Sequence, residues 1–309
     1  MDDAVVATGT DAAISKLSAA RIGYTADDFI PHFVDAKRRR LRRAPLINRG
    51  YFARSCAVDT LVLNFLKHER SHQIVTLGAG NDTLFFRLRT HHAALTEKLT
   101  VFETDFPAVI ARKRALIAAH EPMRVLATDT DRYRTFGSDL RDLDAVSEGL
   151  KSCGFNPALP TLFLSECVLI YLDTQHSDAL IKWAADAVTA GGGGGVFVTY
   201  EQILPDDPFG AMMVRNIAAR GCPLRSIADY PSLESLKTRY ERLGWTETTV
   251  RDMNDVYYNF LAEDEVKRIE CLEIFDELEE WHLIQAHYCV TVAVVPGAGV
   301  TTNGIGFST

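Results

Sequence analysis

The sequence predicts a Rossmann-like α/β fold: a mostly parallel sheet of seven strands, covered by helices on both faces. Three observations predict it. A short apolar run, Ile74-Val75-Thr76-Leu77, is followed by Gly78-Ala79-Gly80-Asn81-Asp82-Thr83 and then by Leu84-Phe85-Phe86-Arg87-Leu88. That reads as strand, tight glycine turn and helix, and glycines suit a turn whose backbone must approach a ligand closely. A second apolar segment, Leu99-Thr100-Val101-Phe102, ends in Glu103-Thr104-Asp105. An acid at the tip of the second strand is where a doubly wound sheet grips the ribose hydroxyls of a nucleoside. Third, Gly78, Gly80, Asp105, Asp139 and Glu166 all fall at the carboxyl ends of expected strands, the edge at which such sheets bind ligands.

The elements follow in chain order. Residues 11–43 read as polar and helical, with no strand, and contain the block Lys37-Arg38-Arg39-Arg40-Leu41-Arg42-Arg43. That block is either a solvated face or loop, a nuclear-targeting signal, or an attractor of an acidic partner. Pro45 breaks the pattern, and residues 48–54 lead in, with Arg54 as a loop residue, to a helix through Leu61-Val62-Leu63-Asn64-Phe65-Leu66. Strand one starts at Ile74 and strand two at Leu99, with a helix over 107–119 and strand three over 133–140. A helix over 142–151 precedes the continuous apolar run 160–167, a buried fourth strand. An amphipathic helix over 175–188 and a fifth strand over 196–201 flank five consecutive glycines, 191–195, read as a flexible surface loop. Residues 206–240 hold two or more helices, a lid inserted between strands five and six. Strands six (245–250) and seven (286–295) are separated by an acidic helix over 263–282, and the Gly-, Ser- and Thr-rich tail 296–309 is expected to be disordered.

With 309 residues, 47% of them apolar, the chain can build one large α/β domain or two smaller ones. A formal net charge of −8 argues against general nucleic-acid or anionic-membrane binding. No stretch approaches the roughly 20 apolar residues that span a bilayer, and Met1-Asp2-Asp3 does not open a signal peptide. The six cysteines are far apart and read as reduced, mostly buried thiols of a cytoplasmic protein. His91 and His92 are adjacent and His282 and His287 are five apart, so no metal site is expected.

The glycine turn discriminates among nucleoside cofactors. A dinucleotide fingerprint needs a third small residue, where this chain has Thr83, and a pyrophosphate needs a helix N-terminus free of negative charge, where it has Asp82. S-adenosyl-L-methionine (SAM) carries a sulfonium and an ammonium and no phosphate, so an acidic, glycine-lined pocket suits it.

At these residues the chain resembles the leucine carboxyl methyltransferases, which act on type 2A protein phosphatase catalytic subunits. The resemblance rests on Ala44-Pro45-Leu46-Ile47-Asn48-Arg49-Gly50-Tyr51-Phe52-Ala53-Arg54, on the glycine turn with its strand, and on Phe102-Glu103-Thr104-Asp105-Phe106-Pro107. Gly137-Ser138-Asp139-Leu140-Arg141-Asp142-Leu143, Ser165-Glu166-Cys167-Val168-Leu169-Ile170-Tyr171 and Tyr200-Glu201-Gln202 complete it, so that it covers most of the chain. It implies a class I SAM-dependent methyltransferase with N-terminal helices and a helical lid, forming a methyl ester on a C-terminal leucine carboxylate with S-adenosyl-L-homocysteine (SAH) as product. Implied SAM contacts are Lys16, Arg54, Gly78, Asp105, Asp139, Leu140 and Glu166. Departures lie in residues 110–132, the glycine run and the basic block, which read as loop variation. One domain over 1–295 is expected, comprising helical residues 1–72, a SAM-binding core 73–205, a lid 206–242 and the rest of the core 243–295, then a flexible tail. A monomer is expected, cytoplasmic and also nuclear, whose partner is the phosphatase catalytic subunit.

A C-terminal carboxylate has a pKa near 3.5 and is already the nucleophile at neutral pH, so no general base is required. The enzyme must hold one oxygen in line with the methyl and exclude water. Arg54, whose planar fork can grip a carboxylate, orients either the methionyl group of SAM or the substrate. Tyr171 is either a donor at the reacting centre or a core aromatic. Asp105 binds the ribose, with Glu103 as its competitor on the same strand. The resemblance implies that Lys16, otherwise a solvated helix residue, pairs with a cofactor carboxylate; Asp139 is expected to accept from the adenine amino group beside the Leu140 amide, and Glu166 to face the methionyl ammonium or form a structural salt bridge. Tyr200 and Gln202, at the end of strand five, touch the peptide. Relatives of this fold also methylate a modified tRNA base, in proteins carrying an added β-propeller for which no room is expected after strand seven. The alternative acceptor is a small-molecule carboxylate or hydroxyl.

Overall fold

The computed structural model describes residues 2–67, 72–128, 131–297, 300 and 306–307. Seven strands form one sheet: β1 His72–Leu77, β2 Leu99–Asp105, β3 Tyr133–Gly137, β4 Thr161–Glu166, β5 Gly195–Gln202, β6 Glu247–Asp252 and β7 Tyr288–Val295. Their order is β3-β2-β1-β4-β5-β7-β6, with the first five parallel and β7 antiparallel to both neighbours. The order reverses between β1 and β4, so the crevice of a doubly wound sheet opens there, above Leu77 and Glu166. The β1 pattern is wholly buried, as expected of a central parallel strand covered on both faces.

Twelve α-helices lie among the described residues. They are α1 Asp2–Ile22, α2 Pro45–Leu66, α3 Leu84–His91, α4 Pro107–Ala119, α5 Glu121–Thr128, α6 Leu143–Ser152, α7 Thr174–Gly191, α8 Pro208–Ala219, α9 Leu233–Arg242, α10 Met253–Asn259, α11 Glu263–Glu270 and α12 Leu278–Ala286. Alternate strand residues feed two cores. Ile74, Val101, Leu162 and Val196 pack with Phe65, Phe85, Phe86 and Trp281 on one face. Val75, Phe102, Phe163 and Phe197 pack with Leu180, Trp245 and Tyr240 on the other. No helix of the described residues is long and apolar enough to cross a membrane.

Local expectations differ from the structure at the N-terminal segment, Arg54, the glycine run, the acidic segment and the tail, while the basic block takes the loop form among its readings. The N-terminal helix runs from Asp2 to Ile22, and residues 23–44 are turns with one 3-10 segment, Ile30–Phe33, because the chain reverses at Gly23, whose N–H donates to the carbonyls of Ala19 and Ala20. The basic block is an exposed turn within that stretch, pinned by Arg39 Nε donating to the Val34 carbonyl and the Arg43 amide donating to Ser18 Oγ. Arg54 lies inside α2, which starts at Pro45 with the proline in its first turn, so it is a helix residue. The glycine run is a packed turn: α7 ends at Gly191, Gly192 takes φ 76°, and a Cβ at Gly193 would stand 2.4 Å from the Leu159 carbonyl oxygen. The acidic segment is two helices, α11 and α12, with residues 271–277 irregular between them. Of the tail, Val300 is buried and Phe307 packs edge-on against Phe260; residues 298–299, 301–305 and 308–309 lie outside the described residues.

Candidate active site

A cavity of about 980 Å³ opens at the carboxyl ends of β1, β2, β4 and β5, and its volume is at the upper end of small-molecule sites. All ten residues singled out from the sequence line it: Lys16, Arg54, Gly78, Asp105, Asp139, Leu140, Glu166, Tyr171, Tyr200 and Gln202. They come from elements far apart in the chain, and the sheet edge gathers them.

The glycine turn forms the floor. Gly78 has φ 74°, and a Cβ there would stand 2.5 Å from Val168 Cγ2, so the turn is closed from behind by the loop after β4. Gly80 has φ 46° and open space where a Cβ would be; its N–H donates to Asp105 Oδ2 at 2.7 Å. Asp105 Oδ1 accepts from the Phe106 amide at 2.7 Å. Each oxygen thus has one backbone donor and one lone pair left for a ligand. Burial pushes this carboxyl up and outweighs the two amides. Glu103, two residues earlier, is not in the cavity: it is fully enclosed, 2.5 Å from Lys113 Nζ and accepting from Tyr133 Oη at 2.7 Å. Both acids stand on one face of β2; Asp105 is the strand's last residue and reaches the cavity, whereas Glu103 lies two residues deeper, covered by Lys113 and Tyr133.

Beside the turn stand four charges. Lys16 on α1 lies 3.4 Å from Asp82 Oδ1 and 3.9 Å from Glu166 Oε1, and Arg54 Nε donates to Glu166 Oε2 at 2.5 Å. Burial disfavours every one of these charges, but mutual attraction outweighs it. Burial alone would raise the Asp82 carboxyl, yet Lys16, Lys113 and Arg87 hold it at about 2. Glu166 is likewise held down by Lys16 and Arg54 against its burial. Arg54 also lies over the Tyr200 ring, 4.7 Å from its centroid, and Tyr200 stacks on Tyr288 at 5.3 Å. Two cations and two anions on one wall match a zwitterionic amino-acid group, which brings one charge of each sign.

The Asp139 carboxylate is gripped by Arg141, through Nε at 2.9 Å and Nη2 at 2.5 Å, and Arg141 reaches on to Asp2 at 3.2 Å. This chain of charges ties the start of α1 over the cavity. Leu140 is buried beside it. Opposite, Tyr171 ends a 3-10 turn, Leu169–Tyr171, and packs with Met213 and Ile217 of α8 and with Leu224. Burial pushes its hydroxyl far above the ordinary tyrosine range. Gln202 is buried and donates through Nε2 to Cys167 Sγ at 3.8 Å, while its Oε1 has no partner among the described residues.

Sequence reasoning missed two residues. Asp82 was read only as an argument against phosphate, although it is the partner of Lys16. Glu201, on β5, sits behind the site and binds the loop after β4. Its signal was visible as a lone acid after the apolar run Val196-Phe197-Val198.

These features fit SAM: a glycine floor with no room for a side chain at Gly78, a buried acid with spare lone pairs at the tip of β2, and a paired-charge wall between them. The model of the leucine carboxyl methyltransferase family matches residues 4–185. A leucine carboxyl methyltransferase 1 homolog of Arabidopsis thaliana is 40% identical over 311 residues, covering 96% of this chain and 91% of that protein. The tRNA wybutosine-synthesizing protein 4 of Homo sapiens is 38% identical over 309 residues, covering 94% of this chain but only 44% of that protein. A Thermobifida fusca crystal structure provisionally assigned as a methyltransferase superposes with a TM-score of 0.53 at 16% identity, over 90% of this chain and 93% of that one, and shows the shared fold. The chain belongs to the leucine carboxyl methyltransferase family and is a SAM-dependent methyltransferase.

Proposed function

We propose that the protein methylates the C-terminal leucine carboxylate of type 2A protein phosphatase catalytic subunits. The observation that carries this reading is that, among the described residues lining the cavity, there is no histidine and every carboxylate except Asp11, on the exposed side of α1, is already paired or hydrogen-bonded. Asp82 and Glu166 are paired with Lys16 and Arg54, Asp105 accepts two amides, Asp139 and Asp2 are tied to Arg141, and Asp173 to Arg225. Tyr171 is held protonated by its burial. A hydroxyl acceptor would need a proton removed; a carboxylate would not. An acceptor that arrives ionised is therefore the chemistry this wall serves. The net charge of −8 weighs against a tRNA acceptor, a polyanion.

SAM supplies a methyl group made electrophilic by its sulfonium. The glycine floor and Asp105 hold the nucleoside end, and the Lys16, Arg54 and Glu166 wall holds the amino-acid end. Tyr171, Tyr200 and Gln202 form the side at which the acceptor enters. Because nucleophile and sulfonium neutralise each other in the transition state, strong pairing of the attacking oxygen would stabilise the ground state and slow transfer. Gln202 and Tyr171 can orient the acceptor by hydrogen bonding without a formal charge, while of the arginines that also line that side, Arg220 and Arg225, the second is paired with Asp173. The apolar groups of α8 and Leu224 exclude water there.

The test is label transfer from methyl-labelled SAM to the phosphatase catalytic subunit and to the same subunit lacking its last leucine. Alkali-labile label on the full-length subunit alone is expected. Equal labelling of both, or labelling of neither while a small carboxylate or hydroxyl compound is labelled, would defeat the proposal.

A further inference from the structure

The segment that joins the two halves of the cavity is the loop after β4. Its Val168 closes the back of the glycine turn, and its Tyr171 stands at the acceptor side. The loop is an awkward piece of backbone. Cys167 takes φ 54°, a left-handed conformation without a glycine, and the chain then tightens into a single 3-10 turn. Four of its amides are nevertheless engaged. Cys167 N–H donates to the Tyr200 carbonyl at 2.8 Å, extending the β4–β5 ladder. Tyr171 N–H donates to the Val168 carbonyl at 3.1 Å, closing the turn. The Val168 and Leu169 amides have no backbone acceptor; both donate to one oxygen, Glu201 Oε1, at 3.2 and 3.1 Å.

Glu201 is an unusual residue for its place. It lies in β5 between Tyr200 and Gln202, is 6% exposed, and has no cation within salt-bridge distance among the described residues. The nearest guanidinium to influence it, that of Arg239, is committed to Asp178 at 2.7 Å and to Ser177. Burying a carboxyl with only amides for partners is costly. Sequence economy would favour an apolar residue at this point unless the loop needs the acceptor.

We infer that Glu201 is a positioning residue of methyl transfer: its carboxyl oxygen fixes the Val168 and Leu169 amides, and so sets Tyr171 at the acceptor and Val168 against the cofactor turn. It touches neither ligand and acts through the loop. The inference rests on the reading of the Tyr171 side as the acceptor wall. It needs an acceptor oxygen at the reach of a glutamate, not a negative charge, because a single neutral oxygen can accept from both amides.

Three full-length variants test it: Glu201→Gln, Glu201→Asp and Glu201→Ala. Each is measured for the single-turnover rate of methyl transfer to the phosphatase subunit, for SAH affinity by calorimetry, and for amide hydrogen exchange over residues 167–172. Glu201→Gln keeps the oxygen and should retain the rate within about threefold, with protection preserved. Glu201→Asp, one methylene short, and Glu201→Ala should each lose at least about 30-fold in rate, given that about 1 Å of misplacement can cost 100-fold. Both should show faster exchange over 167–172, with the rate falling far more than SAH affinity. Wild-type rate and protection in Glu201→Asp or Glu201→Ala would overturn the inference, as would a loss in Glu201→Gln equal to that in Glu201→Asp. If Glu201→Ala does not fold, the Gln–Asp pair decides alone. If the wild type fails to label the phosphatase, the acceptor reading falls, while the exchange arm still decides the role of Glu201.

Discussion

Two clusters of buried charge flank the central strands, Glu103–Lys113 on β2 and α4, and Lys16, Arg54, Asp82 and Glu166 from α1, α2, the glycine turn and β4, and only one of them is a ligand site. Glu103 and Lys113 are each 1% exposed, and Glu103 also takes the Tyr133 hydroxyl; the cluster is closed and faces the protein interior. Lys16, Asp82, Glu166 and Arg54 are 9–15% exposed at the side chain, line the cavity, and hold one another at 2.5–3.9 Å. The first has no lone pair or cation turned toward space. The second has charges of both signs facing a void, pre-arranged for a partner that brings the complementary pair. A strongly charged buried group is thus not by itself a site; what distinguishes one is unspent bonding capacity directed at a cavity.

That contrast can be broken from either side. Arg54→Ala should abolish measurable methyl transfer, a loss of more than about 100-fold from misplacement alone, read as label incorporation at saturating SAM. Because Arg54 is inside α2 and pairs with Glu166, the same variant should also lower stability, where an exposed loop arginine would not. Lys113→Met should do the reverse. It leaves Glu103 buried without its cation and should cost about 3–5 kcal/mol in urea unfolding, with the SAH affinity of the folded protein within about threefold of wild type. Equal loss of SAH affinity in the two variants would erase the distinction between the clusters.

Glu201 sharpens the comparison, as a buried carboxyl with no cation beside it at all. Burial pushes it up to about 7 from 4.5. A raised acid binds its proton more tightly in the folded than in the unfolded state. The folded protein therefore holds more protons between about pH 4.5 and 7, and stability falls as pH rises through that window. At about 1.4 kcal/mol per unit the cost by pH 8 is about 3 kcal/mol. In Glu201→Gln that part of the decline should vanish from the pH dependence of unfolding; an unchanged slope would mean the carboxyl is not perturbed. The smallest expected effect is that of Asp105→Ala, which should weaken SAH binding by about 1–3 kcal/mol by calorimetry and leave the melting temperature within a few degrees. Unaltered SAH affinity would remove Asp105 from the site.

The sheet and its ligand edge were legible because each strand is a short apolar run and each ends at a residue of distinct chemistry, as at Leu77-Gly78, Asp105 and Glu166. What was not legible depended on contacts distant in sequence. Whether Arg54 was loop or helix turned on Pro45, which opens α2 and does not only break what precedes it. The five glycines looked flexible because nothing local shows that Pro157 and Leu159 press against them. α10 was missed although Asp252 accepts from the Asp255 amide at 2.8 Å, since an Asp-x-x-Asp pattern is too common to mark a cap alone. The pairing of Lys16 with Asp82, 66 residues apart, cannot be read from spacing. The division of labour between Glu103 and Asp105, which share a strand face, is likewise set by depth, since Lys113 of α4 covers the first and the second stands at the strand's open end.

Base-free transfer to an acceptor that is already ionised is the claim on which the chemistry depends. Its most direct measurement is the single-turnover rate of methyl transfer at saturating SAM and phosphatase subunit between pH 6 and 9. A rate constant that is level across that range is expected, since neither the acceptor carboxylate nor the paired groups around it titrate there. A rate that climbs about tenfold per pH unit would reveal a proton removed in the reaction, and would contradict it.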